Sequence, residues 1–565
     1  MENFDVVVIG AGIAGIAAAA HYLQAHPNAR LVVLEQDTCL GGVWSQRRNY
    51  PGFWTQWAFS VAEYADMKMS KPPDDDYHHS VFRSIHTTKY LEDYVDHIRI
   101  AGSTLRDRMR FSTSVQSVTK VDGRWRIACT TSEGDLIVSA HRVMVANGQF
   151  SQPRVPDFLG RDTFTGSIIH SIDFGQCDVL TNSKIQHIMV LGGGKTSGDM
   201  VYEAVKAGKT VSWVIRETGP DSTGPGFFMP IDIPTGYGSA GIAAQTRVMS
   251  SLQPCYLLRD SWWTRFLHGT SIGVKLVKWV FGQAEAQMQK RAAYKTRPST
   301  KGFEKLQPEN EIFWLNGTGG VLHHDDFFEL VAEHVNVYRA KVKKLTPTEL
   351  YLDDKEGTHF SCDAVLCGTG WKSGLVMFSD DLSMELGLPF RKDLEYKDSK
   401  WKQLIEAADE KIVRRFPILR DPPPHPHISP KSTPYKLYQG IAPLHDDSIV
   451  FLGHVLGANN MLVAEVQAMW AVAHMAGNIS MPAIEEREKE IATWLAWNRR
   501  RYLSNGELGI YMAFDQIPYV DTLLDQMGLS AHRQKGWLKD FFAPLWPSDV
   551  GKAWSEYLEK NRPVS

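Results

Sequence analysis

The residues best placed to do chemistry are glycines. Gly10-Ala11-Gly12-Ile13-Ala14-Gly15 follows the apolar run Asp5-Val6-Val7-Val8-Ile9 and precedes Ile16-Ala17-Ala18-Ala19-Ala20-His21-Tyr22-Leu23. That order predicts a buried parallel strand, a tight turn and a helix. Gly10 permits the turn, Gly12 lets backbone approach a pyrophosphate, and Gly15 brings helix and strand together with the helix N-terminus toward the phosphates. A second strand, Leu31-Val32-Val33-Leu34, ends in Glu35, about twenty residues beyond the turn, where a carboxylate accepts hydrogen bonds from ribose hydroxyls. A glycine triplet alone is weak, but strand, helix and terminal acid together point to a dinucleotide. The tight turn Gly41-Gly42-Val43-Trp44 after the acid favours FAD.

A second unit repeats the pattern. Ile188-Met189-Val190-Leu191 leads into Gly192-Gly193-Gly194-Lys195-Thr196-Ser197-Gly198-Asp199 and the helical Met200-Val201-Tyr202-Glu203-Ala204-Val205. Ser197 holds the third glycine position, where a small side chain still allows close helix-strand packing. The next strand, Thr210 to Ile215, ends in Arg216 rather than an acid, and a guanidinium there suits the extra 2′-phosphate of NADPH. Lys195 has two readings at this stage, a neutraliser of phosphates or an exposed residue of the turn.

These elements need room, and 565 residues exceed one compact core. A formal net charge of -3 gives no electrostatic reason to expect nucleic acid. Six cysteines, Cys39, Cys129, Cys177, Cys255, Cys362 and Cys367, form no CxxC pair, so no metal cluster is expected and a reducing cytoplasm suits the pattern. The N-terminus enters an apolar strand directly and reads as having no signal peptide. No apolar run reaches the roughly 18 residues of a spanning helix. The stretch 271–290 is amphipathic, with Lys275 and Lys278 among Val274, Leu276, Val277, Trp279, Val280 and Phe281. Packing on the protein's own core is its leading reading, and peripheral membrane contact or a substrate gate is the alternative.

The two turns, Gly41-Gly42-Val43-Trp44 and Phe164-Thr165-Gly166-Ser167-Ile168-Ile169-His170-Ser171-Ile172-Asp173-Phe174 together resemble the class B flavoprotein monooxygenases, related to the Baeyer-Villiger enzymes, in a fungal-type member with a place in secondary metabolism. The last segment matches that family's F-x-G-x-x-x-H-x-x-x-(Y/F/W) pattern. The likeness runs from about residue 4 to about residue 475. It implies an α/β fold with two Rossmann-like dinucleotide-binding domains, a glutathione-reductase-like FAD domain with an inserted NADPH domain, plus a C-terminal extension. The expected limits are 1–165 and 371–480 for FAD, 175–370 for NADPH with an insertion at about 217–305, and 481–565 for the extension. The insertion either shapes the substrate entrance or is passive, and the aromatic tail either caps an apolar pocket or simply packs. Val145-Ala146-Asn147-Gly148 and Leu366-Cys367-Gly368-Thr369-Gly370-Trp371 resemble the family's interdomain links, with Asn147 where threonine is usual.

The resemblance further implies that NADPH reduces FAD, that O₂ adds to the flavin at C4a, and that the resulting (hydro)peroxyflavin gives one oxygen atom to a small organic substrate. The cofactor carries the hard chemistry, so no catalytic triad or metal cluster is needed. Gln56 is the candidate catalytic residue, standing where nitrogen- or sulfur-oxygenating relatives carry asparagine and ketone-inserting relatives aspartate. It either donates a hydrogen bond to the reacting centre or bonds local backbone. Further cofactor contacts are Val115 and Met461, the latter with ordinary helix packing as its rival reading. The ketone-inserting branch places an arginine in a segment aligned with Glu311 to Phe328, and this chain has no arginine or lysine there. That argues against Baeyer-Villiger oxidation of a ketone without excluding it. His323 and His324 in that segment read as surface or structural, and His170 as positional. Outside this scheme stand a flavin disulfide reductase, which needs a redox cysteine pair, and a non-catalytic FAD/NADPH-binding redox sensor.

Overall fold

The computed structural model describes residues 1–561 except 231–235, 300, 318, 323, 395–398 and 426–427. His323 therefore lies outside the described residues. The first sheet runs Met109–Arg110, Leu31–Leu34, Glu2–Ile9, Gly134–Val145, Arg124–Thr131, Ser114–Val121, and Ile449–Phe451 also pairs with Gly134–Val145. Glu2–Ile9 pairs in parallel with both neighbours, as Gly134–Val145 does with Ile449–Phe451. The stretch from Ser114 to Val145 is an antiparallel meander. Val6, Val7 and Val8 have no exposed surface, because helices cover one face of the sheet and chain from the meander and residues 375–388 cover the other.

The chain leaves this sheet after Val145 and rejoins it at Ile449, having built a second sheet in between. That sheet is parallel throughout, in the order Ser167–His170, Ala364–Cys367, His187–Leu191, Thr210–Ile215, Val335–Arg339. Both glycine turns leave the C-terminal end of a central parallel strand and enter a helix, Ile13–Ala25 in the first unit and Lys195–Lys206 in the second. The second helix starts five residues before the expected Met200, since the turn residues from Lys195 onward are themselves helical.

Residues between Thr210–Ile215 and Val335–Arg339 add a strand, Phe227–Pro230, paired in parallel with Gly319–Leu322. They also add the helices Trp262–Gly269 and Ser271–Ala292. The latter packs one side on the protein's own core, with Val277, Met288 and Ala292 buried, while Ile272 and Trp279 are exposed. No helix among the described residues is long and apolar enough to cross a membrane.

The tail packs more than it caps. Gln516–Gln526 lies against Asn460–Met475, and Trp554 Nε1 donates to Gln24 Oε1 at 2.6 Å. Trp497 and Arg501 are wholly buried. Arg501 donates to the Phe313 carbonyl and Asn505 to that of Leu315. The tail thus pins the segment that leads to Gly319–Leu322.

Candidate active site

At the first turn Gly10 has φ +106°, and a Cβ on Gly15 would fall 1.8 Å from the Gly10 carbonyl oxygen. Neither position accepts a side chain. Gly12 and Gly42 face each other as bare backbone, the nearest atom to a Cβ on Gly12 being Gly42 Cα at 3.9 Å. The helix that follows has neither a capping side chain nor an acid in its first turn. Its first amides, which no residue of the helix can satisfy, are free to meet an anion. Glu35 is buried, with Oε2 accepting from Ala11 N at 2.7 Å and Oε1 from Asp37 N at 2.9 Å. Burial pushes its carboxyl upward in pKa and these two amides oppose that. The expected ribose acceptor thus also ties the end of the second strand to the glycine turn. The Glu35 carbonyl takes the Thr113 amide at 2.8 Å, which brings the start of Ser114–Val121, with Val115, to the same edge. Val43 and Trp44 lie in the short helical turn Gly42–Trp44, and Trp44 stacks on Phe53 and Trp57 with ring centroids 5.3 and 5.0 Å away. Met461 is wholly buried in the first core, one position inside a helix capped by Asn459.

At the second turn Gly192 has φ +127°, and its Cβ would fall 2.2 Å from the Gly368 carbonyl oxygen. Ser197 is buried, with Oγ 3.4 Å from that same oxygen. The third-glycine departure is therefore accommodated by the bare backbone of Gly368 on the neighbouring connector. Gly194 precedes the Lys195–Lys206 helix, again without a capping side chain or first-turn acid, and Thr196 is exposed. Arg216 ends the second strand as expected and donates to Asp221 Oδ2 at 3.0 Å. That pair is half-exposed, so a doubly charged phosphate can displace the carboxylate at little cost.

Lys195 corrects one reading. It is not exposed in the turn. It is buried, with Nζ 2.6 Å from Asp199 Oδ2, and Tyr50 Oη donates to the same oxygen at 2.8 Å. Residues three and four apart on a helix are neighbours, and desolvating a carboxylate demands a cation beside it. Burial raises the Asp199 carboxyl against the pull of Lys195, and it raises the Tyr50 hydroxyl together with the nearby Asp199 charge. Tyr50 belongs to the first unit and Asp199 to the second, so the bond joins the two units. A Cβ on Gly320 would lie 2.2 Å from Lys195 Cγ and 3.0 Å from Gln56 Oε1. Gln56, the exposed candidate catalytic amide, is thus brought beside Lys195 and the Gly319–Leu322 strand. The absence of a side chain at Gly320 is what leaves room for the Lys195 stem. Glu203, one turn beyond Asp199, presses its carboxylate against Gly52, and burial with the Asp199 charge pushes it up to about 7. His324 stacks on Tyr202 with centroids 3.7 Å apart and is pushed down to about 4 by burial.

The linkers keep the two units in register. Ile172 N donates to His170 Nδ1 at 3.2 Å and His170 Nε2 donates to the Gly370 carbonyl at 3.0 Å. Both ring nitrogens are thereby committed, and burial lowers the pKa against the pull of the Gly370 carbonyl, which fits a positional imidazole. Asn147 Nδ2 donates to the Gly374 carbonyl at 2.6 Å, joining the first connector to the second. The bare amides and glycines of both turns suit two pyrophosphates, the second with a guanidinium in reach. Tyr50, Asp199, Glu203 and Gly320 gave no separate signal in the sequence, apart from the four-residue spacing of Lys195 and Asp199. All six cysteines are free thiols.

Residues 7–226 match the model of the pyridine nucleotide-disulphide oxidoreductase family. The chain is 31% identical over 559 residues to an FAD-dependent monooxygenase of Pyrenophora dematioidea, covering 94% of this chain and 99% of that one. It is 30% identical to FAD-dependent monooxygenase resA of Aspergillus sclerotiorum, covering 98% of each. Among solved structures, an open form of cyclohexanone monooxygenase superposes with TM-score 0.59 at 17% identity, covering 93% of this chain and 98% of that one. A steroid monooxygenase bound to NADP gives 0.60 at 18%, covering 93% and 97%. The structural likeness speaks to the fold, two Rossmann units with one inserted in the other, and the end-to-end identity speaks to descent: this chain belongs to the FAD-dependent monooxygenases.

Proposed function

We propose that this enzyme spends NADPH and O₂ to place one oxygen atom on a small organic substrate through FAD, working in the cytoplasm, where free thiols persist. In this reading FAD lies on Gly10, Gly12 and Gly15, with Glu35 toward the ribose, Gly42, Val43, Trp44 and Val115 around it, and Met461 packed in the core behind them. NADPH lies on Gly192, Gly194, Thr196 and Ser197, with Arg216 toward the 2′-phosphate. Residues 1–165 and 371–480 serve the first cofactor, 175–370 the second, and 481–565 brace them. The observation that supports the reading is the hydrogen bond from Tyr50, eight residues after the Gly41-Gly42 turn, to Asp199 in the helix that follows the second glycine turn.

Reduced flavin supplies the electrons that activate oxygen. The residues of this chain supply order and dryness. Lys195 is held by Asp199 and therefore works as a fixed cation at the second turn rather than as a mobile phosphate clamp. Gln56 offers an uncharged amide that donates a hydrogen bond without adding negative charge. The segment 311–328 places glycine, not arginine, beside Gln56, which favours oxygenation of a heteroatom or alkene over insertion next to a ketone.

The test is isotopic. Purified protein that retains FAD is mixed with NADPH under labelled molecular oxygen and offered an amine, a sulfide, an alkene and a ketone. One labelled atom in a product supports the reading. Flavin reoxidation that yields only hydrogen peroxide with every substrate class counts against it.

A further inference from the structure

The Ser271–Ala292 helix is apolar on two sides, and the protein covers only one of them. Val277 is fully buried in a cluster with Leu267, Phe313 and Trp314, and Phe281 meets Phe313 edge to face at 5.0 Å. The other side carries Ile272, Leu276 and Trp279, which are 71%, 36% and 60% exposed. Their spacing of four and then three residues puts them on one stripe. Trp262, on the abutting Trp262–Gly269 helix, is 77% exposed. Single exposed apolar residues need no explanation, but an indole, an isoleucine and a leucine exposed in one row do.

The charges around the row say what would cover it. From Ser261 to Ala284 there is no aspartate or glutamate, while Arg265, Lys275 and Lys278 lie within it. Arg265 is engaged by Asp260 at 2.8 Å, which leaves the two exposed lysines on the same turns as Ile272, Leu276 and Trp279 to set the sign. Indoles favour the boundary between head groups and acyl chains, and lysine stems can lie along apolar surface with the ammonium in the head-group layer. A symmetric contact with a second copy would enclose Lys275 and Lys278 of both chains in one seam, with no aspartate or glutamate between Ser261 and Ala284 to pair them. We infer that this face docks the protein peripherally on an anionic lipid bilayer, with Ile272, Leu276 and Trp279 entering the interface and Lys275 and Lys278 meeting the lipid head groups. The helix's inner face meets Phe313, seven residues before Gly320, which lies beside Lys195 and Gln56. The inference does not depend on the oxygenation chemistry, since binding is measured without turnover.

The holoenzyme is sedimented with vesicles of phosphatidylcholine alone, and with vesicles containing about one part in five phosphatidylserine, following tryptophan emission in parallel. The bound fraction rises with phosphatidylserine and the emission shifts to the blue. An Ile272→Ser/Trp279→Ser variant that keeps its flavin and its circular dichroism partitions about ten-fold less. Lys275→Glu/Lys278→Glu loses the dependence on phosphatidylserine. Equal sedimentation with and without vesicles, or a double serine variant that binds like the parent, overturns the inference. So does a concentration-dependent dimer in light scattering that Trp279→Ser dissolves, because it assigns the face to a second copy.

Discussion

Lys195 Nζ and Asp199 Oδ2 meet at 2.6 Å with both side chains almost fully excluded from water, and the second member is shared with Tyr50 of the other nucleotide unit. Removing one charge leaves the other buried and uncompensated. Lys195→Ala should therefore cost about 3–5 kcal/mol of stability, read as a fall in the melting temperature. A Lys195→Met/Asp199→Asn variant replaces the pair with neutral groups of similar size and should recover most of that loss. If the single and double variants melt together, the pair is not what holds this helix start. Tyr50→Phe keeps the ring on Phe53, which it stacks at 4.8 Å, and removes only the interdomain hydrogen bond, so its loss should fall near 1–2 kcal/mol.

The two glycine turns make a crossed prediction. A Cβ on Gly15 collides with the Gly10 carbonyl, and one on Gly192 with the Gly368 carbonyl, both of which are backbone and cannot swing aside. Gly15→Ala should purify without flavin. Gly192→Ala should keep its flavin but lose NADPH-dependent reduction of it, while dithionite still reduces it. The absorbance of the bound flavin before and after each reductant checks both.

These turns were legible in the sequence because the demand is made by the backbone itself: Gly10, Gly15 and Gly192 sit where a side chain would meet carbonyl oxygens or require an unfavourable φ, and only one residue type answers. Arg216 was legible for a similar reason, since the end of the second strand is a fixed address in this fold. The environment of Lys195 was not. Whether it faces water depends on Tyr50, which lies 149 positions before Asp199 in the chain, and on Gly320, whose empty Cβ direction becomes a slot only once the strand Gly319–Leu322 has paired with Phe227–Pro230. The tail shows the same limit from the other side. Its tryptophans are alike in sequence, yet Trp497 is sealed against Asp515 while Trp537 is 75% exposed.

Arg216 is already paired with Asp221 at 3.0 Å, so the proposed 2′-phosphate role makes cofactor preference a competition between that carboxylate and the phosphate for one guanidinium. Arg216→Ala should weaken NADPH binding about ten-fold, roughly 1.4 kcal/mol, and leave NADH binding nearly unchanged. Asp221→Asn should tighten NADPH binding by releasing the guanidinium, by well under that amount because an exposed pair contributes about 0–1 kcal/mol. Dissociation constants for the two nucleotides, taken from quenching of tryptophan emission, decide it. Equal weakening of both by Arg216→Ala would move the arginine away from the 2′-phosphate.

Glu203 supplies a pH dependence whose sign can be worked out. Burial and the neighbouring Asp199 charge raise its carboxyl from the ordinary value near 4.5 to about 7, and its carboxylate oxygen is pressed against Gly52 of the other unit. A raised carboxyl binds a proton more tightly in the folded protein than in the unfolded chain, so its contribution is full below pH 4.5 and is lost as pH climbs through 7. Above that, folding holds a charge where water is scarce. Glu203→Gln imitates the protonated form and cannot ionise. Its melting temperature should match the parent near pH 5 and exceed it at pH 8, with the gap opening between those values. A gap that stays constant across that range would mean that the carboxyl does not titrate at this junction.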